Sequence, residues 1–179
     1  MQPIWVPRKE SLLQQEIKQR RPFSSARQEA FIGLLKTADG LRRLVSALVA
    51  PHGLTGQQYN VLRILRGAGP EGLPTLEIAE RMIEQAPGIT RLLDRIEARG
   101  WAVRKRCPQD RRQVLCTITR QGLALLANLD TPVQQLDRQA LGMLPSTDVE
   151  SLIRSLDRIR ASQRTSKPRK QGEHLRCAS

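Results

Sequence analysis

Apolar residues recur at three-and-four spacing along most of this chain, and in one stretch the period drops to two. Phe31, Leu34, Leu35, Ala38, Leu41, Val45 and Leu48 form a stripe that predicts an amphipathic helix ending near Ala50, before Pro51 and Gly53. Ser25-Ala-Arg-Gln28 ahead of it reads as a capping box, the hydroxyl accepting an early backbone N–H and the glutamine reaching back. Upstream, Ser11 and Gln14 start a short helix toward Arg20. Thr55-Gly-Gln-Gln58 is a second box. It opens a helix with Val61, Leu62 and Leu65 inward, expected to stop at Gly67 and the breaker-rich GAGPEG that follows. Pro74 and Thr75 begin a short helix whose core side is predicted to be Leu76, Ala79 and Met82 or Ile83. Pro87 suits the first turn of the next helix, where its missing N–H costs nothing. That helix puts Ile89, Leu92, Leu93 and Ile96 on one stripe, with Thr90, Arg91, Asp94, Arg95 and Ala98 opposite and Gly100 just past its end. Two short helices joined in this way predict a helix-turn-helix.

After Gly100 the alternation changes. Trp101–Arg106 and Gln113–Thr119 read as two strands, and the polar loop between them carries Asp110, Arg111 and Arg112. A hairpin with arginines at its tip, following a helix-turn-helix, predicts a winged helix. Thr119 then caps a helix with Leu126, Leu129, Val133, Leu136 and Ala140 on a heptad-like seam, which Pro132 is expected to bend or split. Leu144-Pro145 marks a break. Thr147-Asp-Val-Glu150 is a third box, leading to Val149, Leu152, Ile153, Leu156 and Ile159. Beyond Ser162 the apolar period is lost and a disordered tail is expected.

The fold class expected is mainly α: an α+β winged helix-turn-helix with a helical dimerisation region built from the N- and C-terminal helices. The division follows as a basic extension over 1–23, a first dimerisation helix over 24–53 and the winged helix over 54–119. C-terminal dimerisation helices over 120–162 and a basic tail over 163–179 complete it. A winged helix alone does not need the long outer helices, so their stripes call for a partner. A two-fold pair would set two recognition helices roughly 34–36 Å apart.

Charge sharpens this picture. The formal net charge is +13. Eight basic residues against two acidic ones between 95 and 120 account for the whole positive excess of residues 24–163. Such a local field attracts a polyphosphate backbone. No apolar run is long enough to span a membrane, and the start of the chain lacks the apolar core of a secretory leader. The three cysteines, Cys107, Cys116 and Cys177, are odd in number and widely spaced. That argues against a disulfide framework or thiolate zinc site and suits a reducing cytoplasm. Cys116 shares a strand face with Val114 and Ile118 and reads as a small buried hydrophobe, whereas Cys107 has arginine neighbours that would favour a thiolate. There is no phosphate-binding loop, dinucleotide fingerprint or metal-ligand cluster, so neither an enzyme nor a cofactor is expected.

The ordered set Leu54-Thr55-x-x-Gln58-x-x-Val61-Leu62, Ile78-Ala79, Ile89-Thr90-Arg91-Leu92-Leu93-Asp94-Arg95-Ile96-Glu97-x-x-Gly100, Pro108-x-Asp110-Arg111-Arg112 and Ile118-Thr119-x-x-Gly122 closely resembles the MarR family of transcription regulators. The resemblance covers about residues 25–162. It implies a homodimer on a pseudo-palindromic double-stranded operator, acting as a repressor or activator and in many members releasing DNA when a small, often phenolic, compound binds. Pro74 stands where the family usually has Ser or Thr, and the cysteine that oxidation-sensing members carry in the first helix region is missing.

Candidate DNA-binding residues are Pro87, Gly88, Thr90, Arg91 and Arg95 on the recognition helix, with Arg104, Arg106, Asp110, Arg111 and Arg112 on the wing. Arginine can hold guanine O6 and N7, and Thr90 suits a phosphate or a thymine methyl. Arg95 has the alternative of pairing with Asp94 or Glu97. Asp110 is expected to brace Arg112 for the minor groove, and one of Arg104 and Arg106 to meet phosphate. A ligand pocket near the first hinge would use Arg43, His52, Tyr59 or Trp101; a plain hinge with satisfied side chains competes with it. The leading expectation is therefore a homodimeric DNA-binding repressor tuned by a small ligand. The alternative is an effector-independent winged-helix protein with general DNA affinity.

Overall fold

The computed structural model describes residues 11–84, 88–106 and 113–165, in two units over 1–47 and 48–179. The expectations for Pro87, Cys107, Asp110, Arg111, Arg112 and Cys177 lie outside the described residues.

In the first unit, the Ser11 hydroxyl accepts from the Gln14 N–H and opens α1 (Leu12–Glu16), which ends earlier than the sequence suggests. Leu13 lies against Gly33 of α2 (Ala26–Val49), close enough to touch a β carbon placed there, at 3.5 Å. Ser25 caps α2 through the Gln28 N–H, but the Gln28 side chain accepts from the N–H and hydroxyl of Ser24 rather than completing the box on Ser25. Phe31, Leu34, Leu35, Leu41 and Leu44 of α2 are exposed.

The second unit is built around α3 (Gly56–Ala68), opened by a complete Thr55–Gln58 capping box. Val61, Leu62 and Leu65 are fully buried, as the stripe predicts. The helix runs through Gly67 and ends at Gly69, whose φ of +73° lets the chain leave. Gly67 alone does not stop it, because Gly costs only about 1 kcal/mol in a helix.

A strand absent from the sequence reading follows. β1 (Leu73–Pro74) pairs antiparallel with β3 (Val114–Ile118), which pairs with β2 (Ala102–Arg106), giving the order β1-β3-β2. Gly72, at φ +72°, lies so close to β3 that a β carbon would sit 2.6 Å from the Cys116 carbonyl oxygen. α4 (Thr75–Arg81) starts directly from β1, and this fixes its rotation. The expected core side is therefore corrected in part: Ile78 is buried and Ala79 and Met82 are half-buried, while Leu76 and Ile83 are exposed. α5 (Ile89–Ala98) keeps the predicted stripe, with Leu93 and Ile96 buried and Ile89 and Leu92 half-buried. On β3, Cys116 is fully buried but Val114 is exposed and Ile118 half-buried. Burial pushes the Cys116 thiol above its ordinary range, so it stays neutral.

α6 (Arg120–Leu141) is not split at Pro132. Leu126, Leu129 and Val133 are buried on both sides of the proline and hold the helix through its lost hydrogen bond, whereas Leu136 is half-buried and Ala140 exposed. Arg66 Nη1 on α3 meets both Asp130 carboxylate oxygens on α6 at 2.9 Å. α7 (Ser146–Thr165) begins at Ser146, so Thr147 is inside the first turn and not the cap. The Pro145 carbonyl accepts from the Asp148 and Val149 N–H groups instead. No described side chain of α7 is fully buried, and Leu152, Ile153 and Ile159 are exposed. No helix among the described residues is long and apolar enough to cross a membrane.

Candidate nucleic-acid interface

The turn leading to α5 is fixed from α3: the Asn60 side-chain oxygen accepts from the Ile83 N–H at 3.0 Å. α5 is entered through Gly88 at φ +91°, a left-handed conformation that a side chain resists, with no side-chain cap on the first turn. Gly88 has no side chain with which to cap the leading N–H groups of α5, which suits an anion at this end. Thr90, Arg91 and Arg95 are exposed on the face opposite Leu93 and Ile96. Neither Arg91 nor Arg95 is ion-paired to another described residue, so the pairing alternative for Arg95 is not the one adopted.

The carboxylates that could have taken Arg95 belong to Arg104. Its Nη2 is 2.6 Å from Asp94 Oδ1 and 2.6 Å from Glu97 Oε2, its Nε donates to Glu97 Oε2 at 2.8 Å, and its backbone N–H donates to Glu97 Oε1 at 2.9 Å. Arg104 therefore faces α5, while Lys105 and Arg106, the next two residues of β2, are exposed. Periodicity along the chain carries no sign of this tie, since only the β2 backbone turning back along α5 brings Arg104 to Glu97.

The Arg104 side chain holds the Glu97 carboxyl below the usual range, because it donates hydrogen bonds to the ionised form. A carboxyl depressed in the folded state contributes stability that is fully present above its unfolded value, about 4.3, and is lost as pH falls through the lower folded value. Protection of the Arg104 amide, measured against its intrinsic exchange rate at each pH, is thus expected to hold above the unfolded value of Glu97 and to fall as pH drops below it. In Glu97→Gln the exchange should be faster at neutral pH and lose this acid step. Equal pH profiles for the two proteins would remove Glu97 as the titrating group.

The joint between α5 and α6 is close. The Thr119 hydroxyl donates to the Gly100 carbonyl at 2.7 Å and accepts from the Gly122 N–H at 3.1 Å. Gly122 faces the Trp101 carbonyl, and a β carbon would run into it.

The candidate pocket residues are placed as follows. Tyr59 is buried on α3 with the Arg63 guanidinium 5.9 Å from its ring centre, and Trp101 is buried with Arg99 at 5.5 Å. His52 is exposed in the short turn after α2. Arg43 is exposed on α2 in the first unit and pairs with Asp39. Among the described residues no cluster of His, Cys, Asp and Glu is placed to hold a metal ion.

A helix-turn-helix whose second helix carries exposed arginines, followed by an antiparallel arm with further cations, defines a winged-helix DNA-binding module. The sequence profile described as MarR family matches residues 52–113. The multiple antibiotic resistance protein MarR of Salmonella typhimurium is 30% identical over 118 residues, covering 65% of this chain and 81% of that protein. The homoprotocatechuate degradative operon repressor of Escherichia coli is 26% identical over 126 residues, covering 70% and 84%. The crystal structure of a MarR transcription factor from Planctomyces limnophilus is 41% identical with a TM-score of 0.58, covering 75% of this chain and 98% of that one. The chain belongs to the MarR family of transcription regulators.

Proposed function

We propose that this protein is a homodimeric, sequence-specific repressor that reads a pseudo-palindromic duplex in the cytoplasm and releases it when a small, phenolic ligand binds. The observation that carries the DNA reading is the exposed Thr90, Arg91 and Arg95 face of α5 with the exposed Lys105 and Arg106 of β2 in the same unit. In this reading Pro87, Gly88, Thr90, Arg91 and Arg95 lie at the major groove. Arg106, Arg111 and Arg112 serve the wing, with Asp110 bracing Arg112. The exposed apolar stripes of α2 and α7 support the second copy, assigning residues 24–53 and 120–162 to association and 54–119 to DNA. The ligand reading rests on Tyr59 and Trp101, two buried aromatics each beside an arginine, with His52 and Arg43 as further candidates. It also draws on the family's relatives, one of which is named as a homoprotocatechuate degradative operon repressor.

Selection of bound fragments from a random duplex pool tests the DNA reading, and it should recover one two-fold motif. Arg91→Ala is expected to weaken that duplex about tenfold and to relax the base preference at one position of each half-site. An equal loss on scrambled DNA would mean that Arg91 meets phosphate alone. A pool no richer than its input would overturn the reading.

The basic ends call for a separate measurement. α1 lies inside 1–23 and its Leu13 packs against Gly33 of α2, so removal of that whole extension would disturb more than charge. Deleting residues 166–179 instead takes away Lys167, Arg169, Lys170 and Arg176 against Glu173. The chosen duplex motif is expected to persist, with weaker binding to scrambled DNA and a shallower dependence on salt. An unchanged salt dependence would show that the tail takes no part in DNA affinity.

A further inference from the structure

Arg104 lies within the basic stretch of the chain, yet its charge is committed elsewhere. Only about a quarter of its side chain is exposed, at 27%, against 52% for Asp94 and 35% for Glu97. The guanidinium and the backbone N–H of one residue hold both oxygens of Glu97, and the second guanidinium nitrogen reaches Asp94 one turn earlier on α5. This spans the two elements that carry the exposed cations: α5 with Arg91 and Arg95, and β2 with Lys105 and Arg106. The strand continues directly from Arg104 to those two cations and on toward the hairpin tip. A planar guanidinium with Nε and Nη2 on Glu97 Oε2, and the backbone N–H on Oε1, fixes direction as well as distance, which a single point charge does not.

We propose that Arg104 is a positioning residue for DNA recognition: by clamping β2 to Glu97 and Asp94 of α5, it presents the wing and the recognition helix as one preformed surface and makes no DNA contact of its own. The proposal rests on the DNA reading above. Two surfaces held in register lose less freedom on binding than two that move independently. The clamp also shields two carboxylates that would otherwise face phosphates beside Arg91 and Arg95.

Charge counting and positioning predict opposite results for Glu97→Gln. The substitution adds one unit of positive charge, so a diffuse electrostatic surface would bind tighter; loss of positioning weakens it. The test uses the full chain, the duplex recovered by selection and a scrambled duplex of equal composition, each titrated over a range of salt. Glu97→Gln, Arg104→Ala and Arg104→Lys are each expected to weaken the selected duplex about tenfold, and Glu97→Gln with Arg104→Ala to be less than additive because both break one contact. The ratio of selected to scrambled affinity should fall, and the slope of log affinity on log salt should stay as in the unmodified chain. A phosphate contact behaves differently: its loss lowers the slope by about 0.9 for each contact, and lysine restores it.

Near-full binding by Arg104→Lys, a slope reduced in Arg104→Ala, or tighter binding by Glu97→Gln would each overturn the proposal while leaving the DNA reading intact. Arg91→Ala measured alongside separates the two. If it too leaves selectivity unchanged and no duplex is preferred over scrambled DNA, the DNA reading fails and the clamp's proposed role with it. Should Arg104→Ala lose its helical signal, the isosteric Glu97→Gln decides alone.

Discussion

Leu152→Glu combined with Ile153→Glu is expected to leave a folded chain that sediments as a 20.2 kDa species. The unmodified protein should sediment at twice that mass at micromolar concentration. Both side chains are already exposed, at 38% and 53%, so charge there removes no contact within the winged helix. What it blocks is burial of the α7 stripe against a second copy, since an unpaired carboxylate in an apolar interface costs several kcal/mol. Loss of the pair also removes the second half-site contact. Affinity for the selected duplex should then fall by about a hundredfold or more, because linked binding supplies a gain of that order. Sedimentation and duplex titration on the same preparations check both parts. An unmodified chain that runs as a single copy with its full helical signal would refute the homodimer.

The largest expected effect on stability is at Gly122. Valine there is expected to lower unfolding free energy by about 3 kcal/mol, and alanine by less, since over-filled sites typically cost about 1–3 kcal/mol. The obstacle is backbone: an added β carbon meets the Trp101 carbonyl, and Ile118 Cγ1 lies 2.8 Å away. Neither can swing aside as the end of a long side chain would. Gly67, exposed on α3 with nothing within 4 Å of an added β carbon, is the control, and Gly67→Ala should raise stability slightly. Thermal unfolding of the three variants is the measurement. A Gly122→Val protein that melts with the unmodified chain would mean that the α6–β2 approach is looser than described.

Long periods were legible in the sequence and short elements were not. The stripes of α3 and α5 and the buried positions of α6 follow from many residues repeating one geometry. β1 has two residues, one of them Pro74, and two residues cannot display an alternation. α4 has seven, and with Leu76 and Ile78 both apolar its pattern admits two rotations; the pairing of β1 with β3 selects Ile78. The third capping box failed for a related reason. The ring of Pro145 fixes its own φ near the helical value and its carbonyl is the first acceptor, for both Asp148 and Val149, so α7 starts before Thr147. At the interface, exposure of Thr90, Arg91 and Arg95 could be read from the stripe they oppose. The direction of Arg104 could not, because alternation along β2 says which residues share a face but not that α5 lies under one of them with two carboxylates.

The Thr119 joint makes α6 a mechanical lever. A helix of 22 residues is about 33 Å long, so a tilt of about 5° at one end carries the other through about 3 Å. Thr119 holds Gly100 at the end of α5 and Arg66 on α3 holds Asp130, so a tilt of α6 is expected to be shared with α5. A change of about 3 Å at the far, exposed end of α6 would then rotate α5 by about 5°, a shift of about 1.3 Å over its length of about 15 Å.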